Sequence, residues 1–134
     1  MVTEMLVKES LTEEMISAGA ALVKLLDDAG LEVSGAFWFY ESEANDWRLI
    51  IVTPQVHSKG LKAIYTQIQT VLRAMPHDQP KVSLKDISVA DPSDSLISLL
   101  KLAIQTEKEV SRIRFARNMI NGQLIEDSLI YRLT

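Results

Sequence analysis

The fold of this chain is decided by two neighbouring segments, residues 33–41 (VSGAFWFYE) and 46–54 (DWRLIIVTP). Both are rich in aromatic and β-branched residues, and the polar stretch between them is typical of a turn, so they predict a β-hairpin. If Tyr40 pairs with Trp47, one face of the hairpin carries Trp38, Tyr40, Trp47, Leu49 and Ile51. The other face then carries Phe37, Phe39, Ile50 and Val52, together with Arg48. Neither face is suited to contact with water.

A hairpin that is apolar on both faces has to be covered on both. Leaving four large apolar side chains in water would forgo roughly 6–12 kcal/mol, which is comparable to the free energy of unfolding of a typical domain, ~5–15 kcal/mol. Helices of one chain can cover both faces, or they can cover one face while a second subunit covers the other. We prefer the second arrangement, a homodimer with Trp38, Tyr40 and Trp47 as interface candidates, because the helices flanking the hairpin can pack together on one side.

Helical spacing of apolar residues predicts a first and a second helix on either side of this hairpin. The first begins at Ser10, whose hydroxyl can cap it while Glu13 reaches back, and ends at Gly30. The second is capped by Ser58, covers residues 59–75 and has a continuous apolar stripe.

A third helix is predicted after Asp94, which can accept the first backbone N–H groups. No Gly or Pro lies between Ser93 and Asn121, so the sequence leaves open how far this helix continues. The period-two alternation around Ile113 and Phe115 favours its ending before Glu107.

The remaining strands are predicted from alternation and from turn chemistry. A short strand is expected between residues 81 and 91, and the pair Asn121-Gly122 predicts a hairpin of strands at about 110–120 and 123–133, with a break or bulge near Glu126. The order is α-β-β-α-β-α-β-β. We therefore predict a single α+β domain over residues 1–134, with about five mostly antiparallel strands and three helices.

Composition limits the classes of function. The chain has 134 residues, 47% apolar and 24% charged residues, and no cysteine, so thiolate chemistry and cysteine-based zinc sites are excluded. Its two histidines, His57 and His77, lie at opposite ends of the predicted second helix, about 26 Å apart, too far to share a metal ion. The five glycines form no nucleotide-binding motif. We expect no metal, no cofactor and no membrane segment, and a cytoplasmic location.

Charge is unevenly distributed along the chain. The net charge is −4, but residues 1–46 contain ten acidic and two basic residues, whereas the rest contains twelve basic and eight acidic residues. An acidic first third and a mildly basic remainder could meet between subunits, although a solvated helix face explains such a division equally well.

Two groups of polar residues are candidates for chemistry. His57, Ser58 and Lys59 precede the second helix and could bind an anion, with His57 as a general acid or base. Asp86, in the expected short strand, is a weaker catalytic candidate, because the chain lacks the acid-x-Lys triplet that accompanies such an aspartate in many metal-dependent nucleases. These residues define one alternative function, a small hydrolase with an anion site at the start of the second helix.

The densest basic cluster defines another alternative. Lys108, Arg112, Arg114 and Arg117 could form a ridge that follows a phosphate backbone in a nucleic-acid-binding accessory protein. In a strand, Arg112 and Arg114 point the same way while Ile113 and Phe115 face the core.

The sequence favours association over catalysis. A hairpin apolar on both faces, uneven charge and the lack of a catalytic motif fit an interaction or assembly module that forms a homodimer. Nucleic-acid binding and hydrolysis remain the alternatives.

Overall fold

The computed structural model describes residues 10–134 and confirms the α+β class; residues 1–9 lie outside the described part. The four helices in this part of the chain are α1 (Glu13–Asp28), α2 (Val56–Lys59), α3 (Leu61–Ala74) and α4 (Ser95–Ala103). The five strands are β1 (Gly35–Glu41), β2 (Asp46–Val52), β3 (Ile87–Ala90), β4 (Ile113–Ile120) and β5 (Gln123–Leu133). No helix within residues 10–134 is long and apolar enough to cross a bilayer.

The strands form one sheet in the order β3-β2-β1-β5-β4. All neighbours are antiparallel except β2 and β3, which are parallel. The predicted central hairpin is confirmed, and its register, which the sequence leaves open, is the one that pairs Tyr40 with Trp47. Strand β1 therefore lies in the middle of the sheet, with strands on both sides.

Helices of the same chain cover both faces of this hairpin. On the first face, α1 and α3 pack on Trp38, Tyr40, Trp47, Leu49 and Ile51, which belong to the larger core cluster. On the second face, α4 contributes Ile97 and Leu100 to a smaller cluster with Phe37, Ile50 and Val52. Of the two arrangements open to the sequence, the chain adopts the one that splits its helices across the sheet, so the hairpin needs no second subunit to bury it.

Two helix boundaries differ from the prediction. The cap of α1 is Thr12, not Ser10, because the Thr12 hydroxyl accepts the Met15 N–H at 3.1 Å. The predicted second helix is divided at Gly60, whose φ of 81° interrupts the helical backbone. Ser58 therefore lies inside the short α2, and α3 begins at Leu61 without a side-chain cap.

The predicted short strand is confirmed only over its second half. Residues Leu84–Asp86 form a 3₁₀ turn, and β3 begins at Ile87. Asp86 thus lies in the turn, not in a strand as expected, and the pairing of β3 with β2 is parallel. The Asp94 cap is confirmed, since its carboxylate accepts the Leu96 N–H at 2.9 Å, and α4 ends well before the last hairpin.

The last hairpin turns at Asn121 and Gly122 as predicted, with φ of 48° and 80°. The ladder between β4 and β5 is interrupted at Arg117, opposite Glu126, where φ is 51°.

The bulge itself lies elsewhere: Ala36 pairs with Arg132 but Phe37 pairs with Ile130, which leaves Tyr131 as an extra residue. A bulge turns two consecutive side chains toward the same side of a sheet. Tyr131 and Arg132 therefore both point to the first face, under α1.

The bulged Tyr131 ties the sheet to α1. Trp38 Nε1–H donates to the Tyr131 hydroxyl at 2.9 Å, and that hydroxyl donates to the Ile16 carbonyl at 2.6 Å. The helix approaches this closely because residue 19 is glycine: a Cβ there would lie 2.4 Å from the Tyr131 oxygen and 2.9 Å from Trp38 Nε1. Burial raises the pKa of Tyr131 to about 12.

The close approach at Gly19 predicts that Gly19→Ala lowers the free energy of unfolding by about 1–3 kcal/mol through overpacking, although alanine favours a helix over glycine by roughly 1 kcal/mol. Urea denaturation measures this change. The loss should shrink in a Tyr131→Phe background, which removes the nearest atom. Ala21→Gly, on the same helix, serves as a control for propensity alone. A stabilised Gly19→Ala variant would contradict the described contact.

The raised pKa of Tyr131 predicts a loss of stability at alkaline pH. Between pH 10 and about 12 the unfolded chain releases the phenol proton while the folded chain retains it. The contribution is therefore complete below pH 10 and disappears as the pH rises toward 12, by roughly 2–3 kcal/mol. Urea denaturation across this range should show a steeper decline for the wild type than for Tyr131→Phe, and parallel declines would refute the assignment.

Candidate functional site

The anion-site candidates His57, Ser58 and Lys59 all lie in the short α2. The Ser58 hydroxyl donates to the Gln55 carbonyl, and the His57 imidazole Nε2 contacts a carboxylate oxygen of Asp91. The position next to His57 is thus occupied by an acid of the same chain, which opposes a further anion. The structure brings these three residues together, but the side chains of Ser58 and His57 are engaged by other residues of the chain.

Asp91 is held from the other side by Ser93. Its Oδ1 accepts the Ser93 N–H at 2.7 Å and the Ser93 hydroxyl at 2.8 Å. These hydrogen bonds, more than the neighbouring His57, lower the pKa of Asp91. Strands β2 and β3 are parallel, so the segments that follow them leave the sheet at the same end. The contact between His57 and Asp91 holds these two segments together.

The catalytic candidates lack the surroundings of an active site. The His57 side chain is 76% exposed, so it does not lie at the floor of a cleft. Asp86 lines an open cavity of about 510 Å³ with Asp46 and Lys85, and His57 does not line this cavity. No group of three His, Asp or Glu residues within residues 10–134 could hold a metal ion. This geometry does not favour the hydrolase alternative.

The basic cluster Lys108, Arg112, Arg114 and Arg117 is exposed, with β4 beginning at Ile113. As expected from alternation, Ile113 and Phe115 pack against the second core cluster. Arg114, however, is engaged by its own chain. Its Nε and Nη2 donate to the two carboxylate oxygens of Asp127 at 2.7 and 2.6 Å, and this pairing raises the pKa of Arg114.

Arg114 also lies over the Trp47 ring, with its guanidinium carbon 5.6 Å from the ring centroid. Asp127 is nearly buried, its side chain 6% exposed. The guanidinium thus neutralises a buried carboxylate and covers an aromatic ring on the first face. Arg114 therefore has a structural role. Its charge, at the centre of the ridge predicted to bind nucleic acid, is already paired with Asp127.

The interface candidates Trp38, Tyr40 and Trp47 are buried under helices of the same chain, with exposed fractions of 2%, 6% and 2%. They are not available to a second subunit in this fold. A surface for association has to lie elsewhere.

Large apolar side chains remain accessible along the last hairpin and the neighbouring strand β1. Phe39, Ser128 and Phe115 lie side by side across β1, β5 and β4, and both phenylalanines are half-buried. Farther along the last hairpin, Met119 pairs with Leu124, and these side chains are 63% and 55% exposed. We call Phe39, Phe115, Met119 and Leu124 the hairpin patch.

The hairpin patch was missed by the sequence reasoning, but a signal for it exists. Met119 and Leu124 flank the Asn121-Gly122 turn at positions that a two-residue loop places directly opposite each other. Their chain neighbours Ile120 and Ile125 are buried in the core cluster that contains Ile97 and Leu100 of α4, so alternation turns Met119 and Leu124 away from this cluster.

The edges of the sheet are protected, in contrast to this patch. On β3 the Ala90 carbonyl accepts the Thr53 N–H, so the backbone groups of Ile87 and Val89 point outward. The Val89 N–H donates to the Tyr65 hydroxyl at 2.9 Å, and the Ile87 carbonyl accepts from Arg48 at 3.3 Å. Side chains thus occupy the outward groups that another strand would need.

On the opposite edge, β4 is interrupted where Arg117 adopts a positive φ of 51°. Beside it, the Asn118 side-chain amide donates to the Ala116 carbonyl at 2.9 Å. Both features hinder the addition of a further strand, so edge-to-edge pairing is disfavoured on this side too.

The structural role of Arg114 predicts unequal effects of two neighbouring substitutions. Arg114→Ala should lower the free energy of unfolding by about 1.5–3 kcal/mol, because it leaves the buried Asp127 without its charged donor. Arg112→Ala, at an exposed position, should change it by less than about 0.5 kcal/mol. Urea denaturation of both variants makes the comparison, and equal effects would contradict the assigned role.

Comparisons with known proteins give no further guide to function. The chain matches no family model, no curated protein and no solved structure.

Proposed function

We propose that this protein is an interaction module that binds a second copy of itself through the hairpin patch. The observation that carries the proposal is the exposure of the paired residues Met119 and Leu124, 63% and 55%, with Leu124 lining a cavity beside the half-buried Phe39. Contiguous apolar side chains of this size, exposed on a folded domain, mark interaction surfaces.

The shape of the surface supports a docked partner. Phe39 and Leu124 line a cavity of about 500 Å³ together with the turn between β1 and β2. A protruding apolar side chain from a second copy, such as Met119, fits a depression of this kind. Fully burying a side chain of this class is worth about 1.5–3 kcal/mol, so a few anchors can supply much of the affinity of an interface.

Charge supports a second copy as the partner. The rim of the cavity next to Phe39 is acidic, with Glu41, Glu43 and Glu126, whereas Arg117 lies on the β4 side of the hairpin. A twofold axis brings each surface onto its own copy, so the acidic rim of one chain can meet Arg117 of the other. In such an arrangement the acidic rim of each chain pairs with Arg117 of the other chain, which favours the twofold pairing over other orientations.

The protected sheet edges direct association to this face. Addition of a strand to β3 or β4 would have to displace the side chains that bond their backbone groups. Contact through the hairpin patch requires no such rearrangement. We place this association in the cytoplasm, as the sequence predicts.

The double substitution Met119→Lys with Leu124→Lys tests this proposal. Light scattering and sedimentation equilibrium should give twice the mass of one chain for the wild type and the mass of one chain for the variant, because two lysines per copy would be buried unpaired in the interface. Leu61→Lys is the matched control: Leu61 is also exposed and apolar, 49%, but lies on α3 outside the patch.

The control variant should remain dimeric, and circular dichroism with urea denaturation should show that all three proteins are folded. A wild type with the mass of one chain at every concentration would refute the proposal. An unchanged dimer in the double variant would show that another surface associates.

A further inference from the structure

The hairpin patch contains one residue that can be modified chemically. Met119 is the sulfur-containing member of the patch, and its thioether is open to oxidation. Oxidation to the sulfoxide turns a flexible apolar side chain into a polar one and disrupts interfaces that contain methionine. Because the proposed dimer buries Met119, the change would fall at the contact between the two copies.

Exposure distinguishes Met119 from the other methionines of residues 10–134, which are Met15 and Met75. Met119 is 63% exposed, whereas Met75 is 3% exposed and belongs to the first core cluster. Met15 is half-buried and packs against the same cluster. A dissolved oxidant reaches exposed sulfur first. The chain has no cysteine, so an oxidant cannot act on it through a thiol or a disulfide.

The position of Met119 on the last hairpin explains this exposure. Met119 pairs with Leu124 two residues before the turn at Asn121 and Gly122. Its neighbour Ile120 is buried in the second core cluster, so alternation directs Met119 away from the core. The sulfur is therefore accessible in a single chain, and in the proposed dimer it becomes covered when the second copy docks.

The reaction at the Met119 Sδ is a two-electron oxidation. A sulfur lone pair attacks one oxygen of hydrogen peroxide, the O–O bond breaks, and that oxygen stays on the sulfur as the sulfoxide. The other oxygen takes up the released proton and leaves as water. Methionine sulfoxide reductases reverse the change: the oxygen leaves as water, while two thiols of the reductant are oxidised to a disulfide.

The cavity beside Phe39, which the proposed contact fills with Met119 of the second copy, is unsuited to a sulfoxide. Its rim carries Glu41, Glu43 and Glu126. Carboxylates accept hydrogen bonds and donate none. A sulfoxide oxygen is also an acceptor and carries a partial negative charge, so these groups repel it. Burying a polar group without a hydrogen-bond partner costs free energy, and a twofold dimer contains this contact twice.

We propose that oxidation of Met119 to the sulfoxide by a hydroperoxide dissociates the dimer, and that reduction of the sulfoxide restores it. The inference rests on the proposed function, since it assigns a regulation to the same patch. Association and oxidation compete for one sulfur. The dimer therefore protects Met119 from oxidation to the extent that the sulfoxide opposes dimer formation.

Sedimentation equilibrium before and after treatment with hydrogen peroxide tests the proposal, with peptide mapping by mass spectrometry to measure oxidation at each methionine. Treatment is stopped while Met75 is still unoxidised, so that the core stays intact. The Kd of the wild-type dimer should rise by roughly tenfold or more. Methionine sulfoxide reductase with dithiothreitol should return the Kd to its starting value, and dithiothreitol alone should not.

Two variants assign the effect to one sulfur. Met119→Leu has an apolar side chain that peroxide does not oxidise, so its Kd, whatever its starting value, should be the same before and after treatment. Met15→Leu is the matched control on α1, outside the patch, and its Kd should respond to peroxide as that of the wild type does. Oxidation of methionines other than Met119 is common to the wild type and Met119→Leu, and cancels in their comparison.

The rate of oxidation supplies an independent measurement. In dilute solution, below the Kd of the dimer, Met119 should be oxidised faster than Met15 and Met75. Above the Kd, the rate at Met119 should fall as the protein concentration rises, because the second copy covers the sulfur, and the rate at Met15 should stay constant.

The outcomes separate this inference from the proposed function. An untreated wild type with the mass of one chain at every concentration would refute the proposed function, and the regulation with it. A dimer with an unchanged Kd after full oxidation of Met119 would refute the regulation alone. An equal rise in Kd for Met119→Leu would do the same, since the responsible group would then lie elsewhere.

Discussion

The burial of the central hairpin on both faces is the constraint on which the rest of the structure depends. Strand β1 has strands on either side and helices above and below, so its aromatic residues contact every layer of the domain. The first face takes the two longer helices, α1 and α3, because it carries Trp38 and Trp47. Among residues 10–134 the second face receives one helix, α4, which shares a buried cluster with Ile120 and Ile125 of the last hairpin. Met119 and Leu124 alternate with these two residues and stay exposed.

The bulge at Tyr131 links the sheet to α1. One extra residue in β5 places two polar side chains under α1, where regular alternation would place one. Tyr131 joins Trp38 to the backbone of α1, which requires glycine at position 19. Arg132 pairs with Asp27 through both terminal nitrogens and so joins the end of β5 to the C-terminal end of α1.

The elements that depend on local patterns were predictable from the sequence. The central hairpin, the Asp94 cap and the turn at Asn121 each follow from adjacent residues, and the structure confirms them. The side of the sheet covered by each helix was not predictable, because it depends on long-range packing that amphipathic stripes do not specify. The bulge at Tyr131 and the pairing of Arg114 with Asp127 were missed for the same reason. Trp38, Tyr40 and Trp47 were consequently proposed for an interface although the chain buries them itself.

Native-state hydrogen exchange of the β1 amides tests the central claim most directly. If one chain covers both faces of the hairpin, the amides of Phe37 and Trp38 exchange only through global unfolding. Both quantities are measured in the monomeric Met119→Lys, Leu124→Lys variant at several protein concentrations. The free energy of exchange of these amides should then equal the free energy of unfolding. Exchange of these amides well below the global value in the monomer would contradict the account, because it would show that the hairpin depends on a second subunit for its cover.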